Sequence, residues 1–271
     1  MTDSYYELID AADPLGEKFA ATDMVISTWS PSIQHAGPVS ALLVRALERC
    51  AQRDDTRLSR VVVDLLGAVP VTDELWVTAE VDRAGRQVER VSATMSARGA
   101  NGEPKVVAHA SGWRLKTIDT SELVYAPQQP LPPLARGRRQ RAEERWARNY
   151  LHSVDWRWLT EVLGDGPGES WLKPIVDLVK GESMTPTQRL FAVADNANGV
   201  GAQLNTRDWT FLNTDLAVHV HRVPTDGWIG IRSETSYGPD GVATAVGTLF
   251  DQHGAVGSIQ QSVLVRRRTS Q

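Results

Sequence analysis

Gln261 stands where a glutamine is costly. Alternation puts Ile259, Gln261, Val263 and Val265 on one face of a strand, and Ser258, Gln260 and Ser262 on the other. An unpaired amide on that apolar face costs ~1–3 kcal/mol. Gln261 therefore needs polar partners, either a structural hydrogen bond or a held water. Asp195 lies in a helical run whose apolar stripe is Leu190, Val193, Ala194 and Ala197. Phe191, Asp195 and Asn198 form the neighbouring line at four- and three-residue spacing. A carboxyl at the edge of a buried face has a pKa raised by desolvation and suits a general base acting on water. The same position also suits a solvated aspartate. His219 and His221 share a strand face with Asp215, a spacing open to a metal ion or to an ordinary polar face. His35, just ahead of a helix, could polarise a carbonyl or simply serve helix entry. Cys50 falls on a helical apolar stripe and reads as a buried filler.

Other chemistries are disfavoured. With one cysteine, the chain has no disulfide framework and no multi-thiolate metal centre. A G-x-S-x-G elbow is missing, and Gly199-Val200-Gly201 ends a helix rather than opening one, so neither a serine hydrolase nor a dinucleotide fold is indicated. The net charge of −4 argues against nucleic acid as a partner. Met1 to Asp13 lacks the apolar segment of a signal peptide, and no apolar run approaches the ~20 residues of a membrane span. The expectation is a cytoplasmic protein without membrane insertion.

The elements that must position these residues form two copies of one pattern. In the first, Val39, Leu42, Leu43, Ala46, Leu47 and Cys50 mark a helix from Gly37 to Cys50. Four strands follow, near Val61–Leu66, Leu75–Val81, Gln87–Ala97 and Lys105–Leu115. In the second, Thr185-Pro186-Thr187 starts a helix that runs through Ala197 to Gly199. Strands follow near Thr214–His221, Trp228–Tyr237, Val242–Asp251 and Val256–Arg267. Pro70 and Pro224 are 154 positions apart, and Gly102 and Gly254 are 152 apart, as a duplication requires. Residues 1–124 and 151–271 are read as the repeats, with 125–150 as a Pro/Arg-rich linker. That linker carries arginines at 136, 138, 139, 141, 145 and 148, read as a solvated connector or a phosphate-binding stretch. Topology favours antiparallel pairing of the two sheets.

The second half resembles the acyl-CoA thioesterase II (TesB-like) family. The resemblance is carried by Ala194-Asp195-Asn196-Ala197-Asn198-Gly199, Phe211-Leu212-Asn213-Thr214-Asp215-Leu216 and His221-Arg222-Val223-Pro224, and by the later Ser236-Tyr237-Gly238-Pro239-Asp240-Gly241 and Val256-Gly257-Ser258-Ile259-Gln260-Gln261. The first half resembles its amino-terminal domain through His35-Ala36-Gly37-Pro38-Val39, with Ala36 where a glycine is usual. The resemblance implies an α+β double hotdog, each repeat a long helix wrapped by an antiparallel sheet. It implies hydrolysis of an acyl-CoA by water held among an aspartate, a hydroxyl or amide residue and a glutamine. Those roles fall on Asp195, Asn213 and Gln261. Asn213 stands where threonine is usual, and the adjacent Thr214 offers a hydroxyl. Strand alternation, with Thr214, Leu216, Val218 and Val220 facing the core, turns Asn213 the other way unless a bulge intervenes. The attacked carbonyl needs an oxyanion donor, for which the start of the first helix, about Gly37, is a candidate. No metal or cofactor is called for, CoA being part of the substrate. The alternative is a non-catalytic acyl-CoA or lipid-binding double hotdog. Exposed sheet edges and nine tryptophans suit a homodimer.

Overall fold

A computed structural model describes residues 3–139 and 149–268. The first repeat contains β1 (Ser4–Asp10), β2 (Glu17–Ala21), α1 (Ala36–Arg49), β3 (Thr56–Leu65), β4 (Leu75–Arg83), β5 (Val88–Arg98) and β6 (Pro104–Lys116). The second contains α2 (Asn149–His152), β7 (Val154–Trp158), β8 (Gly168–Pro174), β9 (Asp177–Val179), α3 (Pro186–Ala194), α4 (Ala197–Val200), β10 (Trp209–Asn213), β11 (Asp215–Val220), β12 (Ile229–Tyr237), β13 (Val242–Asp251) and β14 (Gly254–Arg267). Among the described residues these strands form one sheet, ordered β7-β8-β12-β13-β14-β11-β3-β6-β5-β4-β2-β1-β9, with β10 also on β14. Either side of the β11–β3 seam the order is the same, so the expected double hotdog is present. The seam is antiparallel, from Asp215↔Asp64 to His219↔Arg60, and joins β3, the first strand after α1, to β11, the second strand after α4, rather than the last strands. Ahead of its main helix the first repeat has two strands, β1 and β2, and the second has three, β7, β8 and β9, none of which periodicity revealed. The short β9 crosses over to pair in parallel with β1 at the far edge.

The sheet curls around α1 and α3, which pack on one another. From Gly37 to Leu47, α1 is buried throughout, beyond what one apolar stripe accounts for. Its buried Arg45 bonds Glu182 through Nε and Nη2 and Glu17 through Nη1, each at 2.8 Å. Cys50 is not a core filler: it caps the end of α1 and is half-buried. At its N-terminus, α3 has a capping box in which Thr185 Oγ1 accepts from the Gln188 N–H and Gln188 Oε1 accepts from the Thr185 N–H. Glu48 of α1 reaches this box, accepting from Thr185 Oγ1 (2.9 Å) and Gln188 Nε2 (2.7 Å).

The predicted second helix is broken. It stops at Asp195, because the Asn196 side chain turns back to bond the Val193 carbonyl at 2.9 Å, and α4 restarts one residue later. The described part of the linker is laid on the second repeat instead of being solvated throughout. Leu131 is buried beside Trp171, whose indole N–H donates to the Pro132 carbonyl at 3.0 Å.

Candidate functional site

The break in the second helix aims the Asp195 carboxyl at the first repeat. The side chain is 4% exposed. Asn213 Nδ2 donates to its Oδ1 at 2.7 Å, and Gln261 Nε2 donates to the same oxygen at 3.2 Å. His35 Nδ1 lies 3.1 Å from Oδ2. Burial pushes the Asp195 carboxyl up to about 6, against the opposing pull of the Asn213 bond. Burial pushes the His35 imidazole down to about 3. Nδ1 of His35 also accepts the Gly37 N–H at 3.1 Å, as the N-cap of α1. One nitrogen cannot accept from Gly37 and donate to Asp195 together. With Asp195 protonated, its hydroxyl donates to Nδ1. With Asp195 ionised, Nδ1 carries the proton and Gly37 N–H loses that acceptor.

Asn213 reaches Asp195 because strand parity breaks beside it. Asn213 pairs with Val263, but Ala217 pairs with Gln260, so four steps on one strand match three on the other. The extra residue is Thr214, whose N–H bonds the Ser262 carbonyl at 2.9 Å. Thr214 is exposed at the cleft rim, its hydroxyl 3.4 Å from Asp215 Oδ1 rather than near Asp195. The alternation that turned Asn213 outward fails at that bulge.

Gln261 lies on the apolar face, 1% exposed. Its amide is fully engaged: Nε2 donates to the Asp195 main-chain and side-chain oxygens, both at 3.2 Å, and Oε1 accepts the Asn198 N–H at 2.8 Å. It stands behind the carboxyl and ties α4 to β14. Gly37 is buried too. A side chain there would meet the Ala192 carbonyl at 2.5 Å and the Tyr150 hydroxyl at 2.9 Å, so glycine is what lets α1 approach α3. Its neighbour Ala36, not Gly37, borders the cleft.

Asp195, His35 and Asn213 open on a cleft of about 770 Å³. Its apolar wall includes Trp29, Leu151, Trp156, Trp158, Val162 and Leu163, and Arg207 lies at its polar rim. A volume of this size and an apolar wall with few convergent polar groups are what small-molecule sites use. A smaller hollow of about 360 Å³, walled largely by residues 159–168, holds none of these polar residues. His219 is exposed and His221 bonds the Ala255 carbonyl at 3.1 Å, so neither reaches the cleft. Among the described residues no cluster of three metal-ligating side chains occurs. Of the linker arginines, 141, 145 and 148 lie outside the described residues, and Arg139 sits 3.6 Å from Asp155.

Three residues with no role at the site assigned from sequence belong to it. Tyr150 stacks on the His35 ring. Asn196 Nδ2 donates to the Tyr150 hydroxyl at 2.7 Å. Asn198 borders the cleft with a buried Oδ1 that has no hydrogen-bond partner among the described residues. A buried amide among apolar neighbours was a signal for Asn196 and Asn198; Tyr150 gave none.

The acyl-CoA thioesterase C-terminal domain family matches residues 127–265, and the acyl-CoA thioesterase N-terminal domain family matches residues 25–115. No curated protein sequence matches the chain. Among solved structures, a hot dog fold protein from Alicyclobacillus acidocaldarius is similar at 13% identity and a TM-score of 0.73, over 93% of this chain and 94% of that one. An acyl-CoA thioesterase II from Mycobacterium marinum is similar at 14% identity and a TM-score of 0.66, over 97% and 96%. The tesB protein of Mycobacterium avium subspecies paratuberculosis follows at 15% identity and a TM-score of 0.63, over 87% and 88%. These structural likenesses speak to the fold, and the two domain matches speak to descent: the chain belongs to the acyl-CoA thioesterase family.

Proposed function

We propose that the chain hydrolyses an acyl-CoA thioester to a free fatty acid and CoA, with Asp195 as the general base. The observation that carries this is a buried carboxyl, held up to about 6 by desolvation, facing an apolar cleft with an amide donor fixed beside it. Ionised Asp195 takes a proton from a water as its oxygen attacks the thioester carbonyl carbon. The tetrahedral intermediate then collapses, the C–S bond breaks, and the proton passes from Asp195 to the departing sulfur. Asn213 fixes the carboxyl's orientation, and Gln261 supports it from behind. The first orphan N–H groups of α1, at Ala36, suit the developing oxyanion. A positioned base of this kind contributes ~10²–10⁴ in rate. No cofactor is required, since CoA arrives as part of the substrate.

A second reading, binding of acyl-CoA or lipid without turnover, is favoured by two departures from the family pattern, Ala36 and Asn213. A thiol-release assay over acyl-CoA chain lengths separates the two. Turnover in the parent, lost in Asp195→Ala and reduced in Gln261→Ala, is the expected result. Saturable binding without thiol release would overturn the enzyme reading. Turnover that survives both substitutions would keep the enzyme and move the site.

A further inference from the structure

The contacts of Nδ1 are not all that holds the His35 ring. Its ring faces that of Tyr150 at 3.7 Å between centroids and 14° between planes. Tyr150 is completely buried, and both roles of its hydroxyl are filled: it donates to the Ala192 carbonyl at 2.8 Å and accepts from Asn196 Nδ2 at 2.7 Å. Ala192 lies on α3 three residues before Asp195, and Asn196 follows Asp195 directly. From behind, Tyr5 packs on Tyr150 at 6.1 Å, and Ser153 Oγ donates to the Tyr150 carbonyl at 2.7 Å while pairing with the Tyr5 hydroxyl at 2.8 Å. One side chain of the second repeat thus touches the first repeat's histidine with its face and the end of α3 with its hydroxyl.

We infer that Tyr150 is a positioning residue for the proposed reaction, fixing the His35 ring so that Nδ1 stays against Asp195 and the imidazole stays dry and uncharged. The inference rests on the thioesterase reading for its kinetic consequence, but not for its structural one. The titratable groups around His35 are Asp195 on α3, Tyr150 on α2 with Tyr5 of β1 behind it, and Arg207 at the cleft rim. The Asp215 carboxylate is bound to the Ser262 N–H and is not directed at the pair. Without the stack, water reaches the ring, the ring turns, and an imidazolium can form beside Asp195. That charge would favour the ionised carboxylate and draw its titration downward.

The test compares Tyr150→Phe, which keeps the stack and loses the hydroxyl, with Tyr150→Leu, which loses both. Tyr150→Met replaces the leucine variant if that one fails to fold. The His35 imidazole is followed by NMR, with His35→Gln identifying its signal among the six histidines. In the parent and in Tyr150→Phe the ring should stay neutral between about pH 5 and 8, its signal following only the tautomer change that accompanies Asp195. In the leucine or methionine variant it should titrate near the ordinary histidine value of about 6.5. With the acyl-CoA substrate, the stackless variant should lose about 10- to 100-fold in kcat with KM little changed, and its acid limb should move to lower pH. Tyr150→Phe, which keeps the stack, should lose less in kcat than the stackless variant and leave the acid limb in place. A His35 ring that stays neutral in the stackless variant overturns the inference, as does an equal loss of kcat in both variants with an unmoved pH profile. If the parent shows no thiol release, the thioesterase reading fails while the NMR arm still decides the role of Tyr150.

Discussion

Replacing Asp195 with asparagine should make the protein more stable at pH 8 and confer no advantage near pH 4. Burial raises the Asp195 carboxyl from 3.8 to about 6, so the native state keeps a proton that the unfolded chain releases between those values. Stability from this group is full below pH 4 and falls as pH rises through 6. At about 1.4 kcal/mol per unit the ionised carboxyl costs roughly 3 kcal/mol at pH 8. His35 works in the opposite direction. Its native value near 3, against 6.5 ordinarily, means that the unfolded chain gains a proton below 6.5 that the native state refuses. Between about pH 4 and 6 the native pair holds one proton, on Asp195, and the unfolded pair holds one, on His35. The two slopes cancel, and the pair contributes almost no pH dependence. Asparagine is nearly isosteric: its oxygen can accept from Asn213 and Gln261, and its amide can donate to His35 Nδ1. With only His35 left, the variant should lead by about 3 kcal/mol at pH 8, and the lead should vanish progressively below about pH 6. Urea unfolding of both proteins at several pH values measures this, and taking the difference removes all other carboxylates. A lead that is independent of pH, or a variant less stable than the parent at pH 8, would refute the proposed partition of the proton. The same variant should lose ~10²-fold or more in kcat, since an amide cannot take the proton from water.

Gln261→Ala should cost about 2–4 kcal/mol in unfolding free energy, because it leaves the Asn198 N–H without its acceptor and opens a small void behind the carboxyl. Its kcat should fall while KM holds, which steady-state kinetics on one acyl-CoA will show. Asn213→Thr restores the residue usual in the family and can still donate to Asp195, so it should keep turnover within about tenfold. Asn213→Leu removes the donor, and its acid limb should shift to higher pH because the Asn213 bond now lowers the Asp195 value. Glu48→Gln, at the opposite end of the helix pair, should lower the melting temperature through the loss of about 1–2 kcal/mol of charge-assisted hydrogen bonding and leave kcat unchanged.

What the sequence could show divides along the range of the forces involved. The position of Gln261 was legible because β14 runs for 14 residues and repeats its two-residue period many times over. The repeat itself was legible because prolines and glycines punctuate both halves at the same distances. Asn213 was not, because the bulge at Thr214 is settled by how β10 and β11 share β14, and no local pattern encodes a partner 50 residues away. Helix periodicity carried the second helix past Asp195. The competing bond was from the Asn196 side chain to its own backbone, a cost too small to show in a hydrophobic pattern. Tyr150 was invisible for a different reason. It follows an arginine-rich segment and meets its partners at His35 and Ala192, so only the folded chain says what it does.

The two helices explain why a duplicated fold shows one open site among the described residues. N-caps and acids meet at both ends of the α1–α3 pair. At one end His35 caps α1 and faces Asp195 from the end of α3. At the other, Thr185 caps α3 and faces Glu48 from the last turn of α1. Both carboxyls are raised by desolvation, so burial alone does not distinguish them. The difference lies in what each acid is given to do. Glu48 accepts from Thr185 and Gln188, and nearby Arg45 is clamped between Glu17 and Glu182, so that end is closed by ion pairs and a complete capping box. Asp195 has neutral amides on one oxygen and an uncharged imidazole on the other, and it borders a cleft. A base must be able to give up and regain its proton near neutral pH. Neutral partners leave that equilibrium near 6, whereas an arginine at this position would hold the carboxylate ionised and weaken it as a base.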